Sequence, residues 1–350
     1  MLKVFIGQPI PNLPIADVIR PNFGAVGLDR WTERHVQLNT PVLELVKTPE
    51  EADFLLIPHN YNAVCGNAEY LRSFKTLSRK LNKKVIVFFP GDSSQEVPIE
   101  NAIVFRNSQY RSTLKKNEII LPGFVEDLGA NLELKPRMKS NDKATVGFCG
   151  WADFHSTADY LKFWAKSLPT TLASLFNRKV LIKQKGLWWR RKVIKNLSNS
   201  KKINTNFIIR KSYSGNEKTI ELDPRIARQE YIDNILGCDF TLCIKGDGNF
   251  STRFFETLSL GRIPLLVDTE CVLPLEEVID YSQIILRVNW KDLSKLDSIV
   301  ADFYAKVTPD QFSEMQKKAR ETFEKYLRLD AYFKTISKKE YYEKGNAMAH

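Results

Sequence analysis

The feature that most constrains the fold of this chain is a repeated alternation of short apolar runs with helical segments. Residues 4–6, 54–57 and 84–89 form nearly continuous apolar runs, as in strands buried on both faces of a parallel sheet. Residues 69–81, which separate the second run from the third, have helical spacing. This strand–helix–strand order predicts an α/β fold. Shorter candidate strands follow at 103–105 and 119–121.

The alternation stops once and then resumes. Residues 131–143 are polar and contain Pro136, which predicts a linker. We therefore predict two Rossmann-like domains facing a cleft, over 1–135 and 144–308, and a C-terminal helix over 309–345 that packs back across them. In the second domain we expect strands at 144–148, 207–209, 240–244, 263–267 and 284–288, and helices at 157–168, 169–176, 227–236 and 252–260.

Composition limits the class of protein and its surroundings. The 350 residues suffice for two domains, and none of the apolar runs approaches the ~18 residues of a membrane span. The N-terminal apolar stretch is too short for a signal peptide, so a cytoplasmic protein is expected. Of the five cysteines, Cys149, Cys238 and Cys243 lie in or beside apolar runs, which favours reduced core thiols. A net charge of +11 favours anionic partners without choosing among them.

The strongest local signal lies between residues 243 and 275. A predicted strand ends in a turn that contains Lys245, Gly246, Gly248 and Asn249, residue types that suit positive φ and close backbone approach to a ligand. A helix is expected to start at Ser251, with Thr252 in its first turn. Free amides at such a helix start form an anion site.

Two charged residues in this helix sharpen that expectation. Arg253 lies in the first turn, where a cation opposes the helix dipole unless an anion such as a diphosphate binds there. Glu256, one turn further on the same face, has a carboxylate that accepts hydrogen bonds from ribose hydroxyls. The alternative is a surface helix in which Arg253 and Glu256 form an ordinary ion pair, and local sequence does not decide between the two.

The same segment resembles the exostosin family of glycosyltransferases, in particular its shorter bacterial-type members. The resemblance rests on Gly246 and Gly248 after a strand, and on the runs Asn249–Ser251, Arg253–Glu256, Gly261–Pro264, Asp268–Thr269 and Leu273–Pro274. Weaker similarities extend it over about residues 50–290. The resemblance implies a GT-B fold, with residues 1–135 on the acceptor side and residues 144–308 binding the donor.

The resemblance also implies an activity and roles for residues. It implies an inverting transferase that uses a nucleotide sugar, usually UDP-linked, with a glycan or lipid-linked glycan as acceptor in cell-surface polysaccharide synthesis. Arg253 would hold the diphosphate and Glu256 the ribose. The chain contains no Asp-x-Asp motif, so we predict no obligatory metal and no other cofactor. The competing hypothesis is a noncatalytic glycan-binding protein on the same fold.

Further site residues follow from the predicted strand ends. Gly150 permits backbone contact with donor phosphates, Lys245 adds positive charge, and Arg210 is a candidate nucleotide contact. An inverting transferase also needs a base that deprotonates the acceptor hydroxyl. Asp92 is our first candidate and His59 the second, because each directly follows a strong strand of the first domain.

Residues 177–202 carry ten Lys or Arg together with Trp188 and Trp189. Such a stretch contacts an anionic membrane surface, or it forms a surface helix whose tryptophans pack inward. A nucleic-acid-binding protein is a third reading of the basic charge, but the chain contains no recognisable nucleic-acid module, and we expect no nucleic-acid partner.

Overall fold

The structure is a computed structural model that describes residues 1–23, 35, 36, 38, 40–140, 142–213 and 222–337. Its first part contains strands and helices that alternate as the apolar runs predict. In chain order these are β1 (Leu2–Ile6), β2 (Leu43–Leu45), β3 (Phe54–Leu56), α1 (Tyr61–Val64), α2 (Ala68–Leu81), β4 (Val85–Phe89), β5 (Ala102–Arg106) and β6 (Glu118–Ile120).

The remaining elements begin beyond the predicted linker. They are β7 (Thr145–Trp151), α3 (Thr157–Phe176), α4 (Gly186–Ser198), β8 (Asn204–Arg210), α5 (Pro224–Leu236), β9 (Phe240–Cys243), α6 (Thr252–Ser259), β10 (Ile263–Asp268), β11 (Leu286–Asn289), α7 (Leu296–Lys306), α8 (Pro309–Thr322) and α9 (Leu329–Thr335).

These elements form two compact units, each built on a sheet whose described strands all pair in parallel. Unit 1 comprises Met1–Glu126, Cys271–Ile279 and the chain from Glu324 onward, and unit 2 comprises Asp127–Glu270 and Asp280–Phe323. The strand order is β2-β1-β3-β4-β5-β6 in unit 1 and β11-β10-β9-β7-β8 in unit 2. The α/β class and the two Rossmann-like units of a GT-B fold are thus confirmed.

The unit boundaries differ from those expected from the sequence. The division falls after Glu126 rather than near 135–144, and residues 271–279 belong to unit 1 although they lie inside the predicted 144–308 domain. Specific contacts explain this second difference. Tyr110 forms an antiparallel bridge with Cys271, and the Arg111 guanidinium lies 2.8 Å from the Glu276 carboxylate.

The single C-terminal helix predicted over 309–345 is wrong. Helix α8 begins with a Thr308–Gln311 capping box and ends at Thr322, five residues of π-helix follow, and α9 is a separate short helix. The Tyr332 hydroxyl donates to the Ile120 carbonyl oxygen at 2.9 Å, which fixes α9 in unit 1. Residues 338–345 of that prediction lie outside the described residues.

Core packing agrees with the buried apolar runs of the sequence. In unit 1 every residue of β4 and β5 is buried, and the rings of Phe88 and Phe105 stack at 5.1 Å. In unit 2, Phe240 of β9 packs edge-on against Phe312 of α8, with ring centroids 6.0 Å apart. None of the five cysteines, all of which the structure describes, forms a disulfide, and four are buried, as the core-thiol prediction requires.

Candidate donor-binding site

The topology of unit 2 identifies one edge of its sheet as the place for a ligand. The chain passes from β7 to β8 on one side and then returns to place β9 on the other side of β7. Ligands of open α/β sheets bind at the carboxyl ends of the strands beside such a reversal. Gly150 lies at that end of β7, and the predicted donor segment begins at Lys245, just after β9.

Arg253 lies at the centre of this edge. It is the second residue of α6, is 9% exposed, and donates from Nη2 to the carbonyl oxygen of Cys149 at 2.9 Å. Its guanidinium lies 4.2 Å from the centroid of the Phe148 ring, and its buried Nε has no hydrogen-bond partner in the described part of the chain. This cation is therefore positioned by a carbonyl and an aromatic face, with donor capacity left for an anion.

The glycine at position 150 is explained by this arginine. A Cβ added to Gly150 would lie 2.7 Å from Arg253 Nη2, and the residue has φ 153°. Any larger residue would displace the guanidinium from the Cys149 carbonyl. The glycine predicted to approach the donor phosphates thus first makes room for the arginine.

Glu256 lies one turn further along α6 and has a half-buried tyrosine as its partner. The Tyr231 hydroxyl donates to Glu256 Oε2 at 2.6 Å. Burial, reinforced by the Glu256 charge, raises the pKa of Tyr231 well above its usual value, so the phenol stays a donor. The alternative of an exposed Arg253–Glu256 ion pair is wrong, because Arg253 is buried and Glu256 is bonded by the tyrosine.

The loop between β9 and α6 is braced by its own polar side chains. The buried Lys245 ammonium donates to the Ile182 carbonyl at 2.8 Å. Asn249, also buried, donates to the Thr269 carbonyl at 3.2 Å and accepts from the Thr269 hydroxyl at 2.6 Å. These contacts support bracing roles for Lys245 and Asn249, whereas the sequence suggested donor contacts.

The other residues of this loop shape the start of α6. Gly248 is buried, and Thr252 is exposed. Ser251 is the N-cap residue, as predicted, yet its side chain makes no capping hydrogen bond with the helix. The helix start thus keeps its amides unoccupied by the side chain that most often satisfies them.

Arg210 lies at the same edge, at the end of β8. Its Nη2 lies 3.5 Å from the Cys149 thiol and 2.9 Å from Glu230 Oε2. That Arg210 contacts the nucleotide stays a prediction. Its charge, however, is already matched by a carboxylate.

Sequence reasoning missed Arg190, which joins this site from the basic aromatic stretch. Its Nη1 donates to the Trp151 carbonyl at 3.3 Å, two residues beyond the carbonyl that Arg253 holds. Burial, followed by repulsion from Arg253, lowers the pKa of Arg190 to about 10. Two guanidinium groups thus share one strand end, and they repel each other until an anion binds.

The start of α4 explains how Arg190 reaches that position. A Cβ at Gly186 would overlap the carbonyl oxygens of Lys245 and Gly246, so only glycine lets the helix approach the loop so closely. The buried Trp189 ring packs edge-on against Trp290 at 6.2 Å and fixes the rotation of the helix. Nothing in the spacing of residues 177–202 indicated this contact.

Other side chains of residues 177–202 also pack or form ion pairs within unit 2. The burial of Trp189 confirms the inward-packing interpretation for one of the two tryptophans. Arg191 forms an ion pair with Asp153, and its guanidinium lies 5.1 Å from the centroid of the Phe154 ring.

The two candidate bases of unit 1 have different surroundings. His59 is fully buried, its Nε2 accepts from the Ile10 amide at 2.8 Å, and its Nδ1 lies 2.9 Å from the Pro14 carbonyl. Both ring nitrogens are engaged by backbone, so the structure argues against His59 as the base, and its role is to hold the 10–14 segment. Asp92 is exposed just beyond β4, after Gly91 with φ 103°, and remains the candidate.

Two negative findings concern the part of the chain that the structure describes. In that part, no three His, Cys, Asp or Glu side chains are grouped closely enough to hold a metal ion. Its helices also include none with the length and apolar character needed to cross a bilayer.

Comparison with known proteins identifies the same region. Residues 172–303 match the sequence model of the exostosin GT47 domain. An exostosin-1 homolog from Caenorhabditis elegans is 27% identical over 101 residues, which are 29% of this chain and 25% of the worm protein. The chain thus matches about a quarter of that relative's length.

One solved structure aligns over the full chain. A glycosyltransferase from Rickettsia africae ESF-5 aligns over 98% of both chains, with 12% identity and a TM-score of 0.38. The domain match, by contrast, spans α4, α6 and the strands between them, and so contains Arg190, Arg253 and Glu256. Residues 172–303, which contain the candidate donor-binding site, are thus similar to the exostosin GT47 domain of glycosyltransferases.

Proposed function

We propose that this protein transfers a sugar from a nucleotide diphosphate donor, UDP-linked by expectation, to a glycan or lipid-linked glycan acceptor, with inversion at the anomeric carbon. The biological setting we propose is cell-surface polysaccharide synthesis. The observation that carries the proposal is the pair Arg253 and Arg190, which hold carbonyls two residues apart at the end of β7.

The diphosphate is the part of the donor that fits this pair. A guanidinium binds phosphate oxygens through parallel N–H donors, and two such groups match the two phosphates. As the bond to the sugar breaks, negative charge grows on the leaving diphosphate, and fixed cations stabilise that charge. We propose that the arginines and the start of α6 supply this stabilisation, without an obligatory metal.

Glu256 gives the site its preference for a nucleoside. The tyrosine hydroxyl occupies Oε2, which leaves Oε1 to accept hydrogen bonds from the ribose. Asp92 is the proposed base: it takes the proton of the acceptor hydroxyl as that oxygen bonds to the anomeric carbon, and the bond from that carbon to the diphosphate oxygen breaks.

The first test measures thermal stabilisation of the purified protein by UDP, UMP, uridine and pyrophosphate. We expect the order UDP above UMP above uridine, because the phosphates contact the arginines. In Glu256→Gln we expect the UDP shift to fall toward that of pyrophosphate, with the pyrophosphate shift itself unchanged. The matched control is Glu133→Gln, at a side chain that is 83% exposed in the same unit.

The second test follows the reaction itself. Transfer from a nucleotide sugar should release the nucleoside diphosphate and give a product of inverted anomeric configuration, read by proton NMR, with the same rate in excess EDTA. Retention would overturn the inverting mechanism, and loss of rate in EDTA would overturn the metal-free site. Nucleotide binding without turnover on any donor–acceptor pair would favour the noncatalytic alternative, and no response to any nucleotide would overturn the donor site.

A further inference from the structure

Helix α3 presents its apolar side to solvent and its small polar residues to the protein. Its buried residues are Ser167 and Ser174. Gln184, directly after the 3-10 segment Arg178–Lys183, donates to the Ser167 carbonyl at 2.9 Å. In a helix that packs on a core the apolar stripe is the buried one. Here the arrangement is reversed.

The exposed stripe is long and consists of large side chains. With 3.6 residues per turn, its five central members fall within an arc of about 80° on one side of the helix. Phe176 is 95% exposed and Leu175 77% exposed, and Trp164 is about half exposed. The five members are the exposed Leu161, Trp164, Leu172 and Leu175 and the half-buried Leu168, with Phe176 at the end of the helix.

Positive charge is concentrated just beyond the end of this stripe, whereas the first turn of α3 carries the acidic Asp159. Lys162 lies about 80° around α3 from the edge of the stripe, and Lys166 lies further round the helix. The exposed Arg178, Lys179 and Lys183 follow in the 3-10 segment Arg178–Lys183. Between residues 160 and 213 the sequence has fourteen Lys or Arg and no Asp or Glu. A Trp- and Leu-rich apolar face edged by basic residues has the composition of helices that lie in the interface of a bilayer.

We propose that α3 docks on the surface of an anionic phospholipid bilayer, with the Trp164–Phe176 stripe inserted at the level of the headgroups. The basic residues bind the anionic lipid headgroups, and the apolar side chains enter the acyl boundary. A second copy of this chain fits less well. A symmetric contact sets the same patch against itself, which would bring the basic residues of both copies together.

This location differs from the one suggested by the sequence, which pointed to residues 177–202. In that stretch Trp189 is buried in unit 2, and Arg190 donates to the Trp151 carbonyl. Its first basic residues, Arg178 and Lys179, are exposed just after the end of α3. The proposal concerns a surface outside the donor site. It is therefore independent of whether the proposed transfer takes place.

The test is sedimentation of the protein with vesicles of phosphatidylcholine alone or with 30% phosphatidylglycerol (about one lipid in three, enough to give a strongly negative surface). We expect binding to the anionic vesicles, weakened by salt, and at least tenfold weaker in Leu172→Glu/Leu175→Glu. The matched control is Leu222→Glu/Ile226→Glu, which puts the same two charges on exposed apolar residues at the start of α5.

Fluorescence locates the contact. Brominated lipids should quench part of the tryptophan emission of the wild-type protein, and that part should disappear in Trp164→Phe. Sedimentation velocity of the same proteins identifies a competing occupant. No vesicle binding by the wild-type protein, equal binding by Leu172→Glu/Leu175→Glu, or a dimer that this variant dissociates in the absence of vesicle binding would each overturn the proposal.

Discussion

The arginines at the carboxyl ends of the two sheets differ in whether a carboxylate balances their charge. At the end of β5 in unit 1, Arg106 is fully buried, and its Nη1 lies 2.8 Å from the equally buried carboxylate of Glu118. At the end of β7 in unit 2, Arg253 and Arg190 instead bind backbone carbonyls and repel each other. A buried arginine alone is thus no sign of a ligand site, since a buried pair of opposite charges serves structure. What indicates a ligand site is a buried arginine that forms no ion pair with a carboxylate of the described residues.

Among the variants that test this comparison, Arg253→Ala should have the largest effect on activity. The variant removes the proposed diphosphate contact and leaving-group cation, so we expect kcat/KM to fall by about 10³-fold, which corresponds to ~4 kcal/mol. The measurement is donor turnover together with the thermal shift by UDP. The control is Arg225→Ala, at a side chain that is 93% exposed in the same unit. An unchanged UDP shift in Arg253→Ala would remove the arginine from the site.

Asp92→Asn tests what unit 1 contributes. The amide keeps the size of the side chain but cannot take the acceptor proton, so we expect kcat to fall by about 10²-fold or more. The UDP shift should stay unchanged, because the proposed donor site lies on unit 2. A variant with normal kcat would mean that another group is the base.

Arg190→Gln sharpens the comparison, because it removes one of two like charges. We expect the melting temperature of the nucleotide-free protein to stay level or rise as the repulsion is relieved, while the affinity for UDP falls about 30-fold, or ~2 kcal/mol. Calorimetry measures both. Arg191→Gln is the matched control, since its neighbouring guanidinium pairs with Asp153. If the two variants lose UDP affinity equally, the assignment of Arg190 fails.

His59→Phe should have the smallest effect on chemistry. It leaves the Ile10 amide and the Pro14 carbonyl of unit 1 without partners, so we expect the free energy of unfolding to fall by about 1–3 kcal/mol. At a temperature where the variant stays folded, kcat should be within twofold of the wild-type value. Denaturant titration and initial rates check both, with the exposed His155→Phe as control. A large loss of kcat in the folded variant would restore His59 as a candidate base.

Much of the fold could be predicted from local pattern. Strands β4, β5, β9 and β10 are short apolar runs buried on both faces, and the sequence places each within a residue or two. The three-residue strand β2 was missed, because three residues give no periodicity to detect. Pro169 suggested two helices, yet α3 continues through it as one helix.

Part of the candidate site could likewise be predicted from local sequence. The segment from Lys245 to Glu256 is contiguous, so its turn, helix start and charged residues could be found from spacing alone. Sequence placed Arg253 and Glu256 one turn apart on α6, and that spacing holds whatever the rest of the chain does.

Only the tertiary structure decided the partners of those residues. Arg190 lies more than sixty residues from Arg253, and it joins the site because Gly186 lets α4 approach the 245–246 backbone. The same folding removed His59 from the list of bases by burying it against Ile10 and Pro14. Local sequence determines which groups a strand end or helix start presents. Which charges are then cancelled, left unpaired or turned to solvent depends on contacts between distant segments, because burial and counter-charge are properties of the packed chain.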